Sequence, residues 1–451
     1  MTGGVNVFGV SIIFLILKLN QVTNGNSPCE TYAKHCKHCV NTEEICNVPQ
    51  VDRPSHTGEL RESGRQQVLE TIRLHGEIAR IDIARETGVS PATVTAISSE
   101  LLEAGLIREV QPENKAGGKR GRPRVSLALN GAAHKLAGIK VGHDEITVLI
   151  IDFEGKELVE HDMPLPTPRM EADDLCRAIM TALEQTCAKG GFSVGEVSGL
   201  CVGLAGLVDA PRNFVYWSSS LTSRNVDLGA HLGQHLDCAI FVENDANLVA
   251  KAEHLFGKGR DFSDFIVITI EHGVGMGIVL DDQIYRGTRG CGAEFGHTKV
   301  QLSGALCQCG QRGCLEAYVG DYAILREASL LSDQTPHQTV DSLHQAARQG
   351  DELASSIFDR AGRMFAMGLA NVINIFDPEL IIVSGTHKSM DYLITDKVIE
   401  EMRQSVVQVD APLPEVIENS WGNLMWAKGA AAYAVERVSA QTVRRLAQNA
   451  A

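Results

Sequence analysis

Apolar side chains from residue 61 onward recur at helical spacing and predict three helices before the first strand. In residues 61–75 they form a single stripe, made of Val68, Leu69, Ile72 and Leu74. A short second helix is predicted at about residues 80–86, followed by a turn at residues 87–89. The third helix is predicted to begin at Ser90 and Pro91, because serine is a favoured N-cap and proline a favoured first helical residue.

The third predicted helix has an apolar face and a face of small polar residues. The inward face is predicted to consist of Val94, Ile97, Leu101 and Leu102. The polar residues are Thr93, Thr95, Ser98 and Ser99. A short helix, a glycine turn and a capped second helix are typical of a helix-turn-helix, whose second helix enters the major groove of DNA. We therefore predict that Thr93, Thr95 and Ser98 contact DNA.

Two short strands are predicted next, at residues 106–110 and 125–129, and the segment between them is strongly basic. Residues 115–124, KAGGKRGRPR, contain five basic residues, three glycines and no acid. A hairpin tip of this kind, a wing, can follow the phosphate backbone or place arginine in the minor groove. The predicted DNA contacts in the wing are Lys119, Arg120, Arg122 and Arg124.

Each of these features has a plainer interpretation when it is taken alone. Many short helix pairs belong only to a core, and runs of charge are usually solvated surface. Their occurrence in this order within about 65 residues favours DNA binding. We assign residues 56–129 to a winged helix-turn-helix domain.

The pattern changes after residue 130, where predicted strands alternate with helices. Buried strands are predicted within residues 136–152 and at 197–204, 238–242, 266–270, 278–280 and 380–384. Helices are predicted at residues 172–189, 246–256 and 355–375. This alternation is typical of an α/β domain with largely buried sheets, which we assign to residues 130–451.

Composition and charge limit the possible functions. The chain has 451 residues, 44% of them hydrophobic and 22% charged, which suits two or three globular domains. Its net charge of -15 argues against general binding to polyanions, so any DNA contact must come from a local basic patch. Cys176, Cys187, Cys201 and Cys238 lie singly in the chain. We expect them to be core thiols in a reducing cytoplasm.

Residues 1–55 fit neither domain, and we treat them as an uncertain N-terminal extension. The apolar run at residues 5–19 is shorter than the roughly 20 residues that span a bilayer, and no basic residue precedes Lys18 as a secretory signal requires. A second zinc site is conceivable from Cys29, Cys36, Cys39 and Cys46, with His35 and His38 among them. Alternatively the extension is non-native, although no methionine between Met1 and Met163 offers a later start. Both interpretations stay open.

Residues 292–316, GAEFGHTKVQLSGALCQCGQRGCLE, contain a candidate metal site. Its predicted ligands are His297, Cys307, Cys309 and Cys314, a common tetrahedral set for structural Zn²⁺. Gly310 and Gly313 allow the tight, positive-φ backbone that lets the thiolates converge. The alternative is unrelated cysteines and a core histidine, which the spacing disfavours. Glu294 and Glu316 flank the cluster, and we expect them to face a polar ligand.

Several segments of the α/β region resemble the ROK family of repressors, open reading frames and kinases. Besides the metal loop, they are GVGMGIVLDDQIYRGTRGCGAEFGH at 273–297, VENDANLVA at 242–250 and NVINIFDPELIIVSG at 371–385. The resemblance covers roughly residues 130–445. It implies an actin/hexokinase-like fold of two α/β lobes with a sugar in the cleft. The family includes repressors with an N-terminal winged helix, so both regions of the chain agree.

The resemblance also implies a set of sugar contacts. By motif they are Asn244, Asp245, Glu294, His297 and Glu316. In the kinases of the family, the residue that matches Asp245 is the base that deprotonates the acceptor hydroxyl. His297 would bind zinc through one ring nitrogen and could offer the other to a hydroxyl. Without the resemblance, residues 243–245 would be interpreted as a strand end and a helix cap.

The segments that match the kinase phosphate loops are altered. Where family kinases carry Asp-x-Gly-Gly-Thr, residues 140–144 are Lys-Val-Gly-His-Asp, and where they carry Gly-Thr-Gly, residues 271–273 are Glu-His-Gly. A carboxylate at Asp144 repels phosphate, and the Cβ of His143 hinders close backbone approach. Two altered loops beside an intact sugar site favour a sensor over an enzyme.

We therefore predict a cytoplasmic, zinc-containing, sugar-responsive transcriptional regulator, a repressor that binds operator DNA and has no membrane partner. Because winged helices commonly bind two half-sites, we expect a homodimer or homotetramer. The alternative is an ATP-dependent sugar kinase with a DNA-binding appendage. A third possibility is a silent sugar site, with a partner protein as the signal.

Overall fold

The computed structural model describes residues 56–110, 125–331, 339–385, 390–407, 412–419, 422 and 424–449. These residues form a winged helix-turn-helix unit, two α/β lobes and a long last helix. The predicted wing contacts, the cysteines of residues 29–46 and the apolar run at residues 5–19 lie outside the described residues. None of the described helices is both long and apolar enough to cross a membrane.

The winged helix-turn-helix unit follows the predicted order of elements. Its helices are α1 (His56–His75), α2 (Arg80–Thr87) and α3 (Pro91–Glu103), and its strands are β1 (Glu77–Ala79), β2 (Ile107–Val110) and β3 (Ser126–Leu129). The strands form an antiparallel sheet in the order β1-β3-β2. The predicted start of α3 is confirmed, since the Ser90 side chain accepts a hydrogen bond of 3.2 Å from the Thr93 N–H. Strand β1 was not predicted.

Lobe 1 is built on a mixed sheet in the order β10-β7-β4-β5-β6. Its strands are β4 (Lys135–Val141), β5 (Glu145–Asp152), β6 (Glu157–Pro164), β7 (Val197–Leu204) and β10 (Ala239–Asn244). Strands β4, β5 and β6 form an antiparallel meander, whereas β7 runs parallel to both β4 and β10. The apolar run at residues 136–152 is therefore a hairpin. The remaining elements are β8 (Gly206–Asp209), β9 (Phe214–Ser218), α4 (Ala172–Gly190) and α5 (Leu228–Gly233).

Lobe 2 is also built on a five-stranded mixed sheet, in the order β13-β12-β11-β14-β15. Its strands are β11 (Phe265–Ile270), β12 (Val274–Leu280), β13 (Gln283–Ile284), β14 (Leu380–Gly385) and β15 (Glu415–Glu418). Its helices are α7 (Glu316–Val319), α8 (Asp321–Leu331), α9 (Val340–Arg348), α10 (Glu352–Phe376) and α11 (Asp396–Ser405). Strand β14 is parallel to β11 and β15, while β12 is antiparallel to β11.

Helices α6 (Asp245–Phe256) and α12 (Leu424–Asn449) pack on each other, and α12 also crosses β4 and β7. The approach to β4 is close, because a Cβ at Gly138 would lie 1.9 Å from the Ala427 carbonyl oxygen. Apolar residues of α12, such as Val435 and Val438, share a core with Leu69 and Ile72 of α1. The last helix of the chain thus contacts both lobe 1 and the winged unit.

Candidate metal centre and ligand cleft

The predicted metal ligands come together in one cluster. The ligand atoms of His297, Cys307, Cys309 and Cys314 all lie within 4.8 Å of one another. Cys307 Sγ is 3.7 Å from His297 Nδ1, and Cys309 Sγ is 3.7 Å from Cys314 Sγ. A tetrahedral zinc ion with sulfur ligands at about 2.3 Å would place neighbouring ligand atoms about 3.8 Å apart. The donor set and its spacing therefore suit a tetrahedral metal ion.

The backbone of the metal loop explains this convergence. Gly310 and Gly313 adopt φ values of 85° and 78°, in the left-handed region that favours glycine. A Cβ at Gly313 would lie only 1.8 Å from the Gln301 carbonyl oxygen, so the loop could not close with a larger residue. The ammonium group of Lys299 lies 2.8 Å from Cys314 Sγ, and this contact raises the pKa of Lys299. A cation at this distance favours the thiolate that a metal requires.

Glu316 connects the metal cluster to the cleft. It is the first residue of α7 and is buried. Its Oε1 lies 3.3 Å from Cys307 Sγ and accepts a hydrogen bond of 3.3 Å from the Tyr322 hydroxyl. Its Oε2 accepts a hydrogen bond of 3.4 Å from the Val274 N–H. The carboxylate is thereby held in position beside the metal ligands.

Glu294 lies close enough to both Asp245 and Glu316 for their charges to interact. Burial raises the pKa of Asp245 to about 6, with a further contribution from Glu271 and opposition from Lys140. Burial also raises the pKa of Glu294 to about 7, helped by the charges of Asp245 and Glu316. A cleft with clustered carboxyl groups of raised pKa is a candidate functional site. Such groups can accept hydrogen bonds from several hydroxyls of one ligand.

His297 faces both the metal cluster and the cleft. Its Nδ1 is the nitrogen near Cys307, while its Nε2 lies 3.9 Å from Glu294 Oε2. This orientation leaves Nε2 on the side of the carboxyl groups. The arrangement has the two-sided geometry expected for a histidine that binds metal through one nitrogen and meets a ligand with the other.

Asn244 has a structural role at the end of β10. Its Oδ1 accepts a hydrogen bond of 3.2 Å from the Asn247 N–H and so caps α6. Its Nδ2 donates a hydrogen bond of 3.0 Å to the Gly206 carbonyl. The helix-cap interpretation of this residue is therefore confirmed. Its contact with a sugar stays a prediction.

Lys140 and Glu271, which were predicted to differ from the kinase phosphate loops, form an ion pair that no sequence pattern indicated. Lys140 Nζ lies 2.9 Å from Glu271 Oε1 and 3.2 Å from Oε2. The available signal was only the predicted departure of these two positions from the kinase phosphate loops. Arg286 Nε donates a hydrogen bond of 2.7 Å to the buried Glu243, a second pair that was not predicted from the sequence.

The predicted DNA contacts on α3 need one correction. Thr93 and Thr95 are exposed, as a DNA-contacting face requires. The prediction for Ser98 is wrong, because this residue is 0% exposed. It lies four residues after Val94 and next to Ile97, so helical spacing places it on the inner face. Ser99 is the exposed serine of this helix.

Comparison with known proteins extends over both regions of the chain. The pattern of the ROK family matches residues 136–437, and a winged helix-turn-helix DNA-binding pattern matches residues 65–108. The chain is 30% identical over 334 residues to the DNA-binding transcriptional dual regulator NagC of Escherichia coli. That alignment covers 72% of this chain and 81% of NagC.

Solved structures of ROK family proteins are also similar to this chain. A ROK family transcriptional regulator, described as a homolog of the E. coli Mlc protein, has 25% identity and a TM-score of 0.73, with 86% of this chain and 98% of that one covered. A ROK family glucokinase from Streptomyces griseus, solved with glucose and AMPPNP, has 30% identity and a TM-score of 0.57. It covers 66% of this chain and 99% of its own. With the family pattern matched across residues 136–437, the chain belongs to the ROK family.

Proposed function

We propose that this protein is a sugar-responsive, DNA-binding transcriptional regulator of carbohydrate metabolism genes, acting as a repressor. The proposal rests on the presence of a winged helix-turn-helix and a ROK domain in one chain. In the ROK domain, Lys140 and Glu271, at the positions of the kinase phosphate loops, form an ion pair. NagC is named a transcriptional dual regulator, and the Mlc homolog is a transcriptional regulator. Since such proteins act on DNA, we place this one in the cytoplasm.

The proposed ligand is a sugar or a sugar derivative. Its contacts would be Asn244, Asp245, Glu294, His297 and Glu316. Sugar hydroxyls need several acceptors and donors in a small space, and the carboxyl groups with His297 Nε2 supply them. The glucokinase relative was solved with glucose, which supports this class of ligand.

The proposed metal is Zn²⁺ at His297, Cys307, Cys309 and Cys314. Cysteine-rich tetrahedral sets with a histidine are typical of structural zinc, and a fully protein-bound ion leaves no position for a substrate. When bound, the ion would supply a fixed positive charge and a rigid loop. The loop would then hold Glu316 and His297 at the cleft.

We propose that the protein does not transfer phosphate. Lys140 stands where the kinases of the family carry an aspartate, and Glu271 adds a carboxylate to the second loop. The two side chains, one from each lobe, are paired with each other. A carboxylate near phosphate oxygens is repulsive, so nucleotide binding would be weakened. The competing function, an ATP-dependent sugar kinase, needs these positions to bind phosphate.

The winged unit would bind operator DNA through Thr93 and Thr95 of α3, with the wing residues Lys119, Arg120, Arg122 and Arg124 on the backbone or in the minor groove. A homodimer or homotetramer would match two half-sites. A sugar would change DNA affinity only if it bound more tightly to one of two arrangements of the protein, one that favours DNA binding and one that does not.

The test is a calorimetric screen of the purified full chain against hexoses, amino sugars and their phosphates. We expect one of these classes to bind and to change the affinity for an operator selected from random DNA. A coupled assay with ATP and the same sugars is run in parallel, with turnover expected at background. Sugar-dependent turnover above background would favour the kinase instead. Binding of none of these sugars would remove support for the sensor.

A further inference from the structure

Lys140 and Glu271 connect the two lobes directly. Lys140 is the next-to-last residue of β4 in lobe 1, and Glu271 immediately follows β11 in lobe 2. The ammonium group approaches both carboxylate oxygens, at 2.9 and 3.2 Å. The two side chains are only 13% and 26% exposed. Since water is partly excluded, their attraction is stronger than that of an ion pair on the open surface.

The turns that carry these residues meet at a second point. His143 follows β4, His272 follows Glu271, and their rings stack with centroids 4.8 Å apart and planes 12° from parallel. His272 is in turn 3.2 Å from Gln308 Nε2 of the metal loop. The contact from lobe 1 therefore reaches a turn that is anchored beside the metal cluster.

Lys140 is held from its other side by the last helix. Its Nζ lies 3.6 Å from the ring centroid of Trp426, which is near the start of α12 and 1% exposed. A cation over an indole face is an attractive arrangement, and more so when water is excluded. With Trp426 on one side and Glu271 on the other, the ammonium group has a defined position between α12 and lobe 2.

The ion pair also acts on the cleft. Among the charges that shift the pKa of Asp245, after burial itself, Glu271 raises it and Lys140 lowers it. Without the ammonium group, the negative charges of Glu271 and Asp245 would repel each other without compensation. With it, the contact between the lobes joins unlike charges.

We propose that Lys140 and Glu271, together with Trp426 against the Lys140 ammonium group, form an interlobe latch that holds lobes 1 and 2 in the arrangement seen in this structure. The latch uses the two positions where the family pattern for phosphate loops is lost. Only the identity of the ligand rests on the proposed function. The latch itself belongs to the ligand-free protein and is tested there.

The test is amide hydrogen exchange on the full chain, compared among the wild type, Lys140→Met, Glu271→Gln and the double variant. We expect exchange at residues 141–145 and 270–274 to rise about tenfold in each single variant, because either change opens the same contact. The double variant should exchange no faster than the singles, since the second change has nothing left to break.

Controls separate the latch from a general loss of stability. Lys135→Met removes a lysine from the same strand, but its partner Glu196, at 3.0 Å, lies in the same lobe. This control should exchange like the wild type at both turns. Lys140→Arg keeps the charge and should stay within about threefold of the wild type, whereas Glu271→Gln keeps the shape and guards against misfolding.

Two results would overturn the latch. One is an unchanged exchange rate in both single variants. The other is a double variant whose rise in exchange rate equals the product of the rises in the two single variants. Because the measurement uses no sugar, the absence of a sugar ligand would count against the proposed function alone. A latch confirmed by exchange would stand in either case.

Discussion

At the scale of single residues, Cys307 belongs to both the metal cluster and the cleft. Its sulfur lies 3.7 Å from His297 Nδ1 and 3.3 Å from Glu316 Oε1. We expect Cys307→Ser to lose bound zinc, from about one ion per chain to near zero, because a structural site uses four ligands. Ligand affinity should fall as Glu316 loses its support, by about tenfold or more. Elemental analysis measures the first effect and calorimetry the second.

Cys291→Ser is the matched control for the metal prediction. Cys291 is a partly buried thiol shortly before the metal loop, and it is not in the cluster. This variant should keep the metal content of the wild type. Equal metal content in the Cys307 and Cys291 variants would refute the ligand assignment.

Asp245 makes stability depend on pH. Its pKa is raised from 3.8 to about 6, so the folded protein binds a proton more tightly than the unfolded chain does. The ionised form therefore costs stability above pH 6, and this cost disappears as the pH falls towards 4. A difference of about two pKa units corresponds to at most about 3 kcal/mol for this half-buried group. We expect Asp245→Asn to unfold at higher urea concentration than the wild type at pH 7.5, with the difference vanishing near pH 4.

Asp261→Asn serves as the control for this pH dependence, because Asp261 is an exposed aspartate away from the cleft. Its unfolding midpoint should follow the wild type at every pH. The metal content must be the same in all samples, since the cluster lies near the cleft. If Asp245→Asn lost stability at pH 7.5, the assigned cost of ionisation would be wrong.

The site could be predicted only in part from the sequence, and sequence distance explains why. The metal ligands lie within residues 297–314, where spacing and glycines carry the signal. Lys140 and Glu271 are separated by 131 positions, and no local pattern links them. Asn244 was assigned by motif to the sugar, yet the hydrogen bonds of its side chain go to a helix end and to a carbonyl group.

At the scale of elements, α3 shows that a polar residue of a helix is not always exposed. Ser98 is buried, and its Oγ has no hydrogen-bond partner among the described residues. We expect Ser98→Ala to change the free energy of unfolding by less than about 1 kcal/mol, since no hydrogen bond is lost. Its DNA affinity should equal that of the wild type. Urea unfolding and fluorescence anisotropy with the selected operator provide the measurements.

Thr95→Ala is the companion variant on the exposed face of α3. The Thr95 hydroxyl donates to the Pro91 carbonyl and remains exposed, so it is available to DNA. Loss of a base contact there should lower operator affinity by about tenfold and change stability little. If Ser98→Ala weakened DNA binding as much as Thr95→Ala, the assignment of the two faces would be reversed.

The wing prediction concerns charge rather than shape. Replacing Arg120, Arg122 and Arg124 with glutamine should lower DNA affinity and reduce the slope of log affinity against log salt by up to about 2.7, because each phosphate contact contributes about 0.9. A triple control with the same change in net charge replaces exposed arginines of lobe 2, namely Arg260, Arg363 and Arg403. Equal slopes in the two triple variants would mean that the wing makes no phosphate contacts.

The winged unit and the central strands of both lobes followed from periodicity, whereas several other elements were not predicted, among them β6, α8, α9, α11 and the long last helix α12. Strand β1 has three residues, too few for an alternating pattern to appear. The strands β4 and β5 are buried on both faces, and the prediction left residues 136–152 undivided although Gly142, His143 and Asp144 form a polar turn between them. Order within the sheets depends on pairing between distant strands, which no local pattern records.

At the scale of the whole molecule, α12 links the cleft to the winged unit. Its first turn carries Trp426 beneath Lys140, and farther along it carries Ser439. Arg73 of α1 donates hydrogen bonds of 3.1 Å to Ser439 Oγ and 2.9 Å to the Phe153 carbonyl. Its guanidinium also lies 5.0 Å from the centre of the Phe153 ring. Contacts along α12 thus extend from Lys140 to α1 of the winged unit.

These contacts predict that Arg73 is needed for the effect of sugar on DNA affinity but not for the binding of sugar or of DNA. The side chain is 14% exposed, so Arg73→Met keeps much of its packing but removes the bonds to α12 and lobe 1. Sugar affinity and operator affinity, measured separately, should stay within about threefold of the wild type. The ratio of operator affinities with and without sugar should fall towards one, because the two sites no longer share a rigid contact. Arg403→Met, an exposed change in lobe 2, should keep the full ratio. An unchanged ratio in Arg73→Met would place the coupling elsewhere in the shared core.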